Sequence, residues 1–356
     1  MIYARLETAS MLAFAIRCWL VFSTASLAWS KIPVLLSTDI GNEVDDQWAV
    51  AYLLTNPDFD VLAIVSAHAP SLPDPSAHYT FEILKEAVEV RLAMSTHPPL
   101  FEGSSQPLAE RTLPRMNAGV DYIVQASKKF DSRNRLSVLT IGAATDVASA
   151  IIADPEIADR IRVVAMAFTN SKSGNEYNVE NDVKAWQVLL DSHVPLIIGS
   201  GDVCRNYLSL TFDEAKKLIA SEGTVGAWLW EEYKQWYFRH VKPLRRDDFS
   251  KPWIIWDIIT LAYLEGMATA ESLPRPRLNA DLSLSQGTPG ETVQWITRVD
   301  STRLWSDFIK KLNDYQRTHA IPRRLGLPAA AQGLVELHDR HQFVQADLRE
   351  RKLSLK

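Results

Sequence analysis

The sequence contains almost no cysteine. Its 356 residues include two, Cys18 and Cys204, and Cys18 lies within an apolar N-terminal run. A disulfide framework is therefore excluded as a source of stability, since removal of that run would leave Cys204 alone. Because Cys204 follows an apolar segment, we expect its thiol to be a buried small side chain and not a nucleophile.

Excess basic charge and repeated segments are also absent. The chain has 38 Lys and Arg against 43 Asp and Glu, which gives a formal net charge of -5. This balance provides no general basic surface, so we expect no nucleic-acid partner. The hydrophobic content of 47% is that of a globular protein with an ample core.

The first 30 residues differ from the rest of the chain. Arg5 precedes an apolar run over residues 11–28, which Arg17 interrupts and small residues follow. This order predicts a signal peptide over residues 1–30, cleaved after Ser30, with export to the periplasm or beyond and no stable membrane span afterwards. One alternative is an uncleaved membrane anchor, although the run is short of the ~20 apolar residues that span a bilayer. The other is a misassigned start of translation, with Met11 as the true first residue.

Short apolar runs alternate with amphipathic stretches through most of the remaining chain. The runs cover residues 32–36, 61–65, 136–141, 161–166 and 194–198. Continuous apolar strands joined by helices predict an α/β fold, an open and mostly parallel sheet with helices on both faces. We predict one domain over residues 31–335 and a charged tail or peripheral helix over 336–356. Beyond residue 265 the pattern weakens, and residues 292–296 are the one further strand candidate.

Three aspartates crowd the turn after the first predicted strand. Asp39, Asp45 and Asp46 fall within eight residues, next to Gly41. Like charges this close raise one another's pKa unless a cation compensates, and calcium accepts several carboxylate oxygens with loose geometry. Ligands of parallel sheets bind beyond the carboxyl ends of the strands, where this turn lies. The alternative is a solvated surface loop.

Two later segments have the composition of a binding site. Asp257 stands in an otherwise apolar stretch, residues 253–262, which we expect to be helical; a buried carboxylate there needs a cation or hydrogen-bond donors. An N-cap role or an ion pair with arginine is the alternative. Residues 173–182 are dense in amides and carboxylates, which suit the hydroxyls of a sugar, although a polar surface loop would have the same composition.

Four segments in order resemble the inosine-uridine-preferring nucleoside hydrolases. Residues 37–46 are similar to the family's D-x-D-P-G-x-D-D turn, and residues 141–148 to its T-G-x-L-T-N-I-A strand end. Residues 176–182 look like its E-F-N-x-x-x-D, and residues 256–262 like its H-D-x-x-A-x-A. Together these segments cover roughly residues 31 to 265 and are far more specific than any one of them.

The resemblance implies calcium-dependent hydrolysis of the N-glycosidic bond of ribonucleosides or related ribosyl compounds, through an oxocarbenium-like transition state. It implies homodimers or homotetramers. It assigns calcium to Asp39, Asp46, Asp257 and the carbonyl oxygen of Ile141, and makes Asp39 the general base for a calcium-bound water. It assigns the substrate to Asp45, Asn175, Glu176, Asn178, Met166 and Asp257.

The sequence departs from the family at the acidic turn and at the leaving-group histidine. Two residues, Asn42 and Glu43, lengthen the turn, and Trp256 stands where the family has a histidine that helps to protonate some leaving bases. The leaving-group candidates are Trp256, Tyr233, His240 and His68. Tyr233 and His240 lie in an aromatic segment, residues 228–240, which could instead be a structural cluster.

Two other function classes compete with a nucleoside hydrolase. An exported binding protein could keep the metal and sugar site without turnover, and the missing histidine favours this alternative. A phosphatase of the haloacid dehalogenase type needs D-x-D directly after its first strand. Residues 37–39 supply only the second aspartate, Asp39, which disfavours a phosphatase.

The signal-peptide prediction can be tested directly. N-terminal sequencing of the protein recovered from the periplasm or medium should begin at Lys31, because the cleavage site follows Ser30. An intact N-terminus on a membrane-bound protein would contradict cleavage and support the anchor.

Overall fold

A computed structural model describes residues 31–241 and 249–319. The predicted signal peptide and the predicted C-terminal tail over 336–356 lie outside the described residues. Within the described ranges, no helix combines the length and the apolar character needed to cross a membrane.

An eight-stranded sheet forms the centre of the fold, in the order β3-β2-β1-β4-β5-β6-β12-β9. Its strands are β1 (Ile32–Thr38), β2 (Phe59–Ser66), β3 (Leu100–Glu102), β4 (Leu136–Ile141), β5 (Ile161–Met166), β6 (Leu196–Gly199), β9 (Ala268–Pro274) and β12 (Thr292–Val299). Two short pairs lie outside it: β7 (Ser209–Leu210) with β8 (Trp253–Ile254), and β10 (Pro276–Leu278) with β11 (Leu284–Gln286).

All neighbours in the sheet are parallel except the edge pair β9 and β12. The predicted α/β fold with a mostly parallel sheet is therefore confirmed. The strand candidate at residues 292–296 is β12. β9 was not predicted. It lies at the edge of the sheet, where helices cover a strand incompletely, and its sequence ATAESLP has no continuous apolar run.

Eleven α-helices are described in the ranges 31–241 and 249–319. They are α1 (Asp45–Thr55), α2 (Ser76–Glu86), α3 (Ala118–Ser127), α4 (Thr145–Ala153), α5 (Tyr177–Asn181), α6 (Val183–Asp191), α7 (Gly201–Tyr207), α8 (Phe212–Ile219), α9 (Gly223–Trp236), α10 (Ile258–Leu264) and α11 (Ser301–Thr318).

Helices cover both faces of the sheet. Successive residues of a strand point to opposite faces, so neighbouring residues pack in different hydrophobic clusters. Leu36 packs in one hydrophobic cluster with Trp48 of α1 and Phe308 of α11. Its neighbour Leu35 belongs to a second cluster, which contains Val147 of α4 and Trp186 of α6. Both clusters are buried, so the strands are continuous apolar runs, as the sequence pattern indicated.

The strand order reverses at β1, which lies between β2 and β4. At the carboxyl end of β1, Thr38 pairs with Ser66 of β2 and with Ile141 of β4. Chain connections leave this point in opposite directions, which opens a crevice where ligands of such sheets bind. The acidic turn follows Thr38 directly and therefore lies at the crevice.

The apolar stretch around Asp257 is two elements and not the single helix that we predicted. Trp253 and Ile254 form β8, which pairs with β7, and α10 begins at Ile258. Asp257 occupies the N-cap position of α10 but makes no side-chain cap bond there. Its carboxylate is therefore available to other groups.

Candidate active site

A cavity of about 540 Å³ opens at the carboxyl edge of the sheet, beside the reversal of strand order. Its walls come from the turn after β1, the ends of β4 and β5, the segment before and within α5, the start of α7, and residues 253–257. A volume of this size accommodates a nucleoside-sized molecule.

The turn after β1 is shaped by Gly41, whose φ of +97° lies in the left-handed region. A Cβ at this position would also lie 2.3 Å from Ile83 Cδ1, so glycine fits for two reasons. The turn delivers Asp45 and Asp46 to the first turn of α1, where the helix N-terminus favours negative charge. The Thr38 hydroxyl donates a hydrogen bond to Asp46 Oδ1 and fixes its orientation.

Three buried carboxylates meet at this turn. Oxygen atoms of Asp45, Asp46 and Asp257 lie within 4.8 Å of one another, although Asp257 is more than 200 residues away in sequence. Burial, and then repulsion by Asp45 and Asp46, raise the pKa of Asp257 well above its usual value. Burial raises the pKa of Asp45 to about 6.

Asp39 lies beside this group with an unsatisfied oxygen. The residue is 2% exposed, and its Oδ2 is buried without a hydrogen-bond partner in the described part of the chain. Burial, and next the charge of Asp45, raise the pKa of Asp39 well above its usual value. A buried acceptor without a donor is expensive, so this atom requires a ligand.

The donor set therefore fits a hard divalent cation. Carboxylate oxygens are the ligands that calcium prefers, and a cation would relieve both the repulsion and the unsatisfied Oδ2. Ile141, the fourth expected ligand, lines the same cavity. The next residue is Gly142, where a Cβ would approach Asp39 Oδ1 to 2.8 Å. The structure places Asp45 in the three-carboxylate group and Asp39 next to it, whereas the sequence assigned Asp39 to the metal and Asp45 to the sugar.

The expected sugar-binding residues line the cavity from the β5 side. They are Met166, Asn175, Glu176 and Asn178. Glu176 is the N-cap of α5, and its carboxylate accepts hydrogen bonds from the backbone N–H groups of Asn178 and Val179. Asn178 Nδ2 donates to the Met166 carbonyl at 3.1 Å, which fixes this amide in the cavity wall. Burial raises the pKa of Glu176 to about 7.

Of the four leaving-group candidates, Trp256 alone lines the cavity among the described residues. The Tyr233 hydroxyl is buried and donates to the Leu210 carbonyl at 2.6 Å, so this part of the aromatic segment is a structural cluster. His240 stacks on Trp236, with ring centroids 3.8 Å apart. The buried His68 contacts the Thr145 hydroxyl at 3.1 Å, away from the cavity, and burial lowers its pKa.

Several residues of the cavity wall were not predicted from the sequence, among them Glu43, Trp253 and Arg205. Trp253 Nε1 and Trp256 Nε1 donate to the same oxygen, Glu43 Oε1, at 2.7 and 2.9 Å. The Arg205 guanidinium lies 5.0 Å from the Trp256 ring centroid and covers one face of that ring. The insertion of Glu43 was visible in the sequence, but its partners lie 210 and 213 residues away and carry no local signal.

The model of the inosine-uridine preferring nucleoside hydrolase family matches residues 34–316. The chain belongs to this family. A curated relative is the pyrimidine-specific ribonucleoside hydrolase RihA of Escherichia coli O81 (strain ED1a), which is 24% identical over 197 residues. That match covers 48% of this chain and 61% of the relative, so it spans less than two thirds of the relative's length.

Solved structures of nucleoside hydrolases share the fold. A plant nucleoside hydrolase superposes with a TM-score of 0.65 at 17% identity, over 79% of this chain and 99% of its own. A purine-preferring ribonucleoside hydrolase from Gardnerella vaginalis gives a TM-score of 0.63 at 19% identity, over 81% and 100%. The predicted family and its fold are therefore confirmed.

The crowded carboxylates predict an unusual pH dependence of stability. The raised pKa values of Asp45 (about 6), Glu176 and Asp146 (both about 7) mean that the folded state holds more protons than the unfolded state between about pH 4 and pH 7. The free energy of unfolding should therefore fall as pH rises through this window when no cation is present. Urea unfolding in EDTA at pH 5 and pH 8 measures this change.

Calcium provides the control for this prediction. Saturating calcium should restore much of the stability at pH 8, because a cation offsets the repulsion among the site carboxylates. Stability in EDTA that rises from pH 5 to pH 8 would contradict the account.

Proposed function

We propose that this protein hydrolyses the N-glycosidic bond of ribonucleosides with the help of a bound divalent cation, calcium. The observation that carries this proposal is the unsatisfied, buried Oδ2 of Asp39 beside the carboxylates of Asp45, Asp46 and Asp257, inside a nucleoside-sized cavity. Membership of the nucleoside hydrolase family supports the reaction class.

Asp39, Asp46 and Asp257 would hold the cation, together with the Ile141 carbonyl, and Asp45 lies close enough to share in this role. When bound, the ion supplies positive charge that makes a neighbouring water more acidic. The Thr38 hydroxyl keeps one oxygen of Asp46 oriented, and the steric limit at Gly142 keeps space for the Asp39 carboxylate.

Asp39 is the general base in this proposal. Its carboxylate removes the proton from the attacking water, and the crowding around it makes it a strong proton acceptor. Glu176 and Asn178 bind ribose hydroxyls from the opposite wall, where backbone hydrogen bonds already fix both side chains. The negative charge of the cavity stabilises the positive charge that develops on the ribose ring as the bond breaks.

The identity of the base is not set by family membership. The names of the relatives describe one pyrimidine-specific and one purine-preferring hydrolase with this fold. At this chain's Trp256 the ring face below Arg205 is occupied, so a base does not stack there. Recognition of the base therefore needs the rest of this ring or other groups of the cavity wall.

A second candidate is a nucleoside-binding protein without turnover. The observation that favours it is the absence of a histidine from the cavity wall formed by the described residues, since a titratable imidazole is a common leaving-group acid. Binding and hydrolysis need the same cation and sugar contacts, so an assay must separate the two.

The proposed hydrolysis is tested by ribose release from a panel of ribonucleosides, with and without EDTA. Wild type should release ribose only in the presence of calcium. Asp39→Asn should lower kcat/KM by roughly 10²- to 10⁴-fold, because the amide removes the general base while keeping the shape of the side chain. At calcium concentrations that saturate the variant, nucleoside binding, followed by calorimetry, should change far less, because the other cation ligands remain.

Asp146→Asn is the matched control. Asp146 is also a fully buried aspartate, but it accepts hydrogen bonds from Asn117 and Ser104 and does not line the cavity. Its substitution should leave turnover near that of wild type. Calcium-independent turnover, or full activity in Asp39→Asn, would disprove the mechanism; nucleoside binding without any ribose release would establish the binding-protein alternative.

A further inference from the structure

The two inserted residues of the acidic turn are held in defined positions. The Asn42 side chain accepts hydrogen bonds from the hydroxyls of Ser71 and Tyr177, the latter at 2.9 Å. Glu43 accepts the two indole N–H groups of Trp253 and Trp256. The insertion is therefore a fixed part of the cavity wall and not a loose extension of the turn.

The hydrogen bonds of Glu43 are distributed unequally between its two oxygens. Both indole donors bind Oε1, whereas Oε2 has no hydrogen-bond partner in residues 31–241 and 249–319. Glu43 lines the cavity and is half-buried, so a bound molecule can reach it. The two indole N–H groups occupy Oε1, so Oε2 keeps its lone pairs for a donor on a bound molecule.

The surroundings of Glu43 suit a flat leaving group more than a sugar. The two indoles are the only tryptophan rings that line the cavity in the described ranges. Ligand sites combine aromatic walls with a few placed polar groups to hold planar molecules. The sugar-binding carboxylate and amide, Glu176 and Asn178, come from the segment after β5 instead.

We propose that Glu43 selects the leaving group: its Oε2 accepts a hydrogen bond from an exocyclic amino group, so that nucleosides of amino-substituted bases are preferred to their keto counterparts. This inference rests on the proposed function. Trp253 and Trp256 are positioning residues, because they act through the Glu43 carboxylate. Arg205 holds Trp256 from one face of its ring and so supports the same geometry.

Glu43→Gln tests this assignment because it reverses the polarity offered to the base. The amide oxygen of glutamine can keep both indole hydrogen bonds, and the amide nitrogen then occupies the position of Oε2. A nitrogen donor pairs with a carbonyl oxygen and not with an amino group. The variant should therefore prefer the keto base of each pair, with little change in the shape of the cavity.

The substrate pairs are cytidine with uridine and adenosine with inosine, in which a carbonyl replaces the exocyclic amino group and the adjacent ring nitrogen gains a hydrogen. Wild type should favour the amino member of at least one pair by roughly 10- to 100-fold in kcat/KM, the usual cost of leaving a buried polar group without its hydrogen-bond partner. Glu43→Gln should reverse the amino-to-keto ratio. Glu43→Ala should bring it close to the ratio of the rates at which the two nucleosides hydrolyse without enzyme.

Two tryptophan variants separate positioning from general damage. Trp256→Phe removes one of the two donors to Glu43 and should shrink the amino-to-keto ratio several-fold. Trp186→Phe is the control, because its indole Nε1 is buried without an acceptor in the described structure and lies in the other hydrophobic cluster. Trp186→Phe should leave the amino-to-keto ratio unchanged even if it lowers thermal stability. A loss of folded protein lowers the rates on both substrates by the same factor.

p-Nitrophenyl riboside distinguishes failure of this inference from failure of the proposed function. Its leaving group carries no amino donor, so Glu43→Gln should retain most of the wild-type kcat/KM on it. Suppose that wild type cleaves this riboside in the presence of calcium, but its amino-to-keto ratio on nucleosides is near one or is the same in Glu43→Gln. That result would overturn the role of Glu43 and leave the proposed function in place. If wild type cleaves neither the riboside nor any nucleoside, the proposed function fails and the inference fails with it.

Discussion

Repulsion among carboxylates at the carboxyl end of β1 is the constraint on which the rest of the site depends. Asp39, Asp45, Asp46 and Asp257 are each 2–3% exposed, and burial raises the pKa of each. Such a cluster is stable only with protons or a cation. Three features of the surrounding structure hold these side chains in place: a left-handed glycine at 41, the Thr38 hydroxyl on Asp46, and a residue without Cβ at 142.

Asn42 and Glu43, which follow Gly41, form part of the cavity wall of this chain. A relative and a structural neighbour of this chain are named for different bases, so family membership alone does not set base preference. In this chain the extra residue Glu43 joins the metal turn to β8 and to Trp256 through two indole hydrogen bonds. In the proposed site, two additional residues in one turn thus change the leaving-group end and leave the metal and sugar ends in place.

The sequence predicted the parts of this site that depend on local pattern. Buried strands such as β1 and β4 are continuous apolar runs, and the aspartates that follow β1 were recognisable from spacing alone. β9 was missed because this edge strand has no continuous apolar run. Asp257 was predicted to lie inside a helix because its apolar segment reads as one element, whereas the structure divides it into the short strand β8 and a later helix. His68 and Tyr233 were reasonable candidates by residue type, but burial against Thr145 and Leu210 keeps them out of the cavity. The bonds between Glu43 and its tryptophans form only through tertiary folding.

Calorimetric titration of calcium into EDTA-stripped protein at pH 7 tests the central claim most directly. Wild type should bind one calcium ion per chain with release of protons, because carboxylates with raised pKa values must ionise to become ligands. Asp46→Asn should weaken binding strongly, since Asp46 is both a buried member of the carboxylate group and the partner of Thr38. No measurable calcium binding by folded wild type, or equal affinity in Asp46→Asn, would contradict the account.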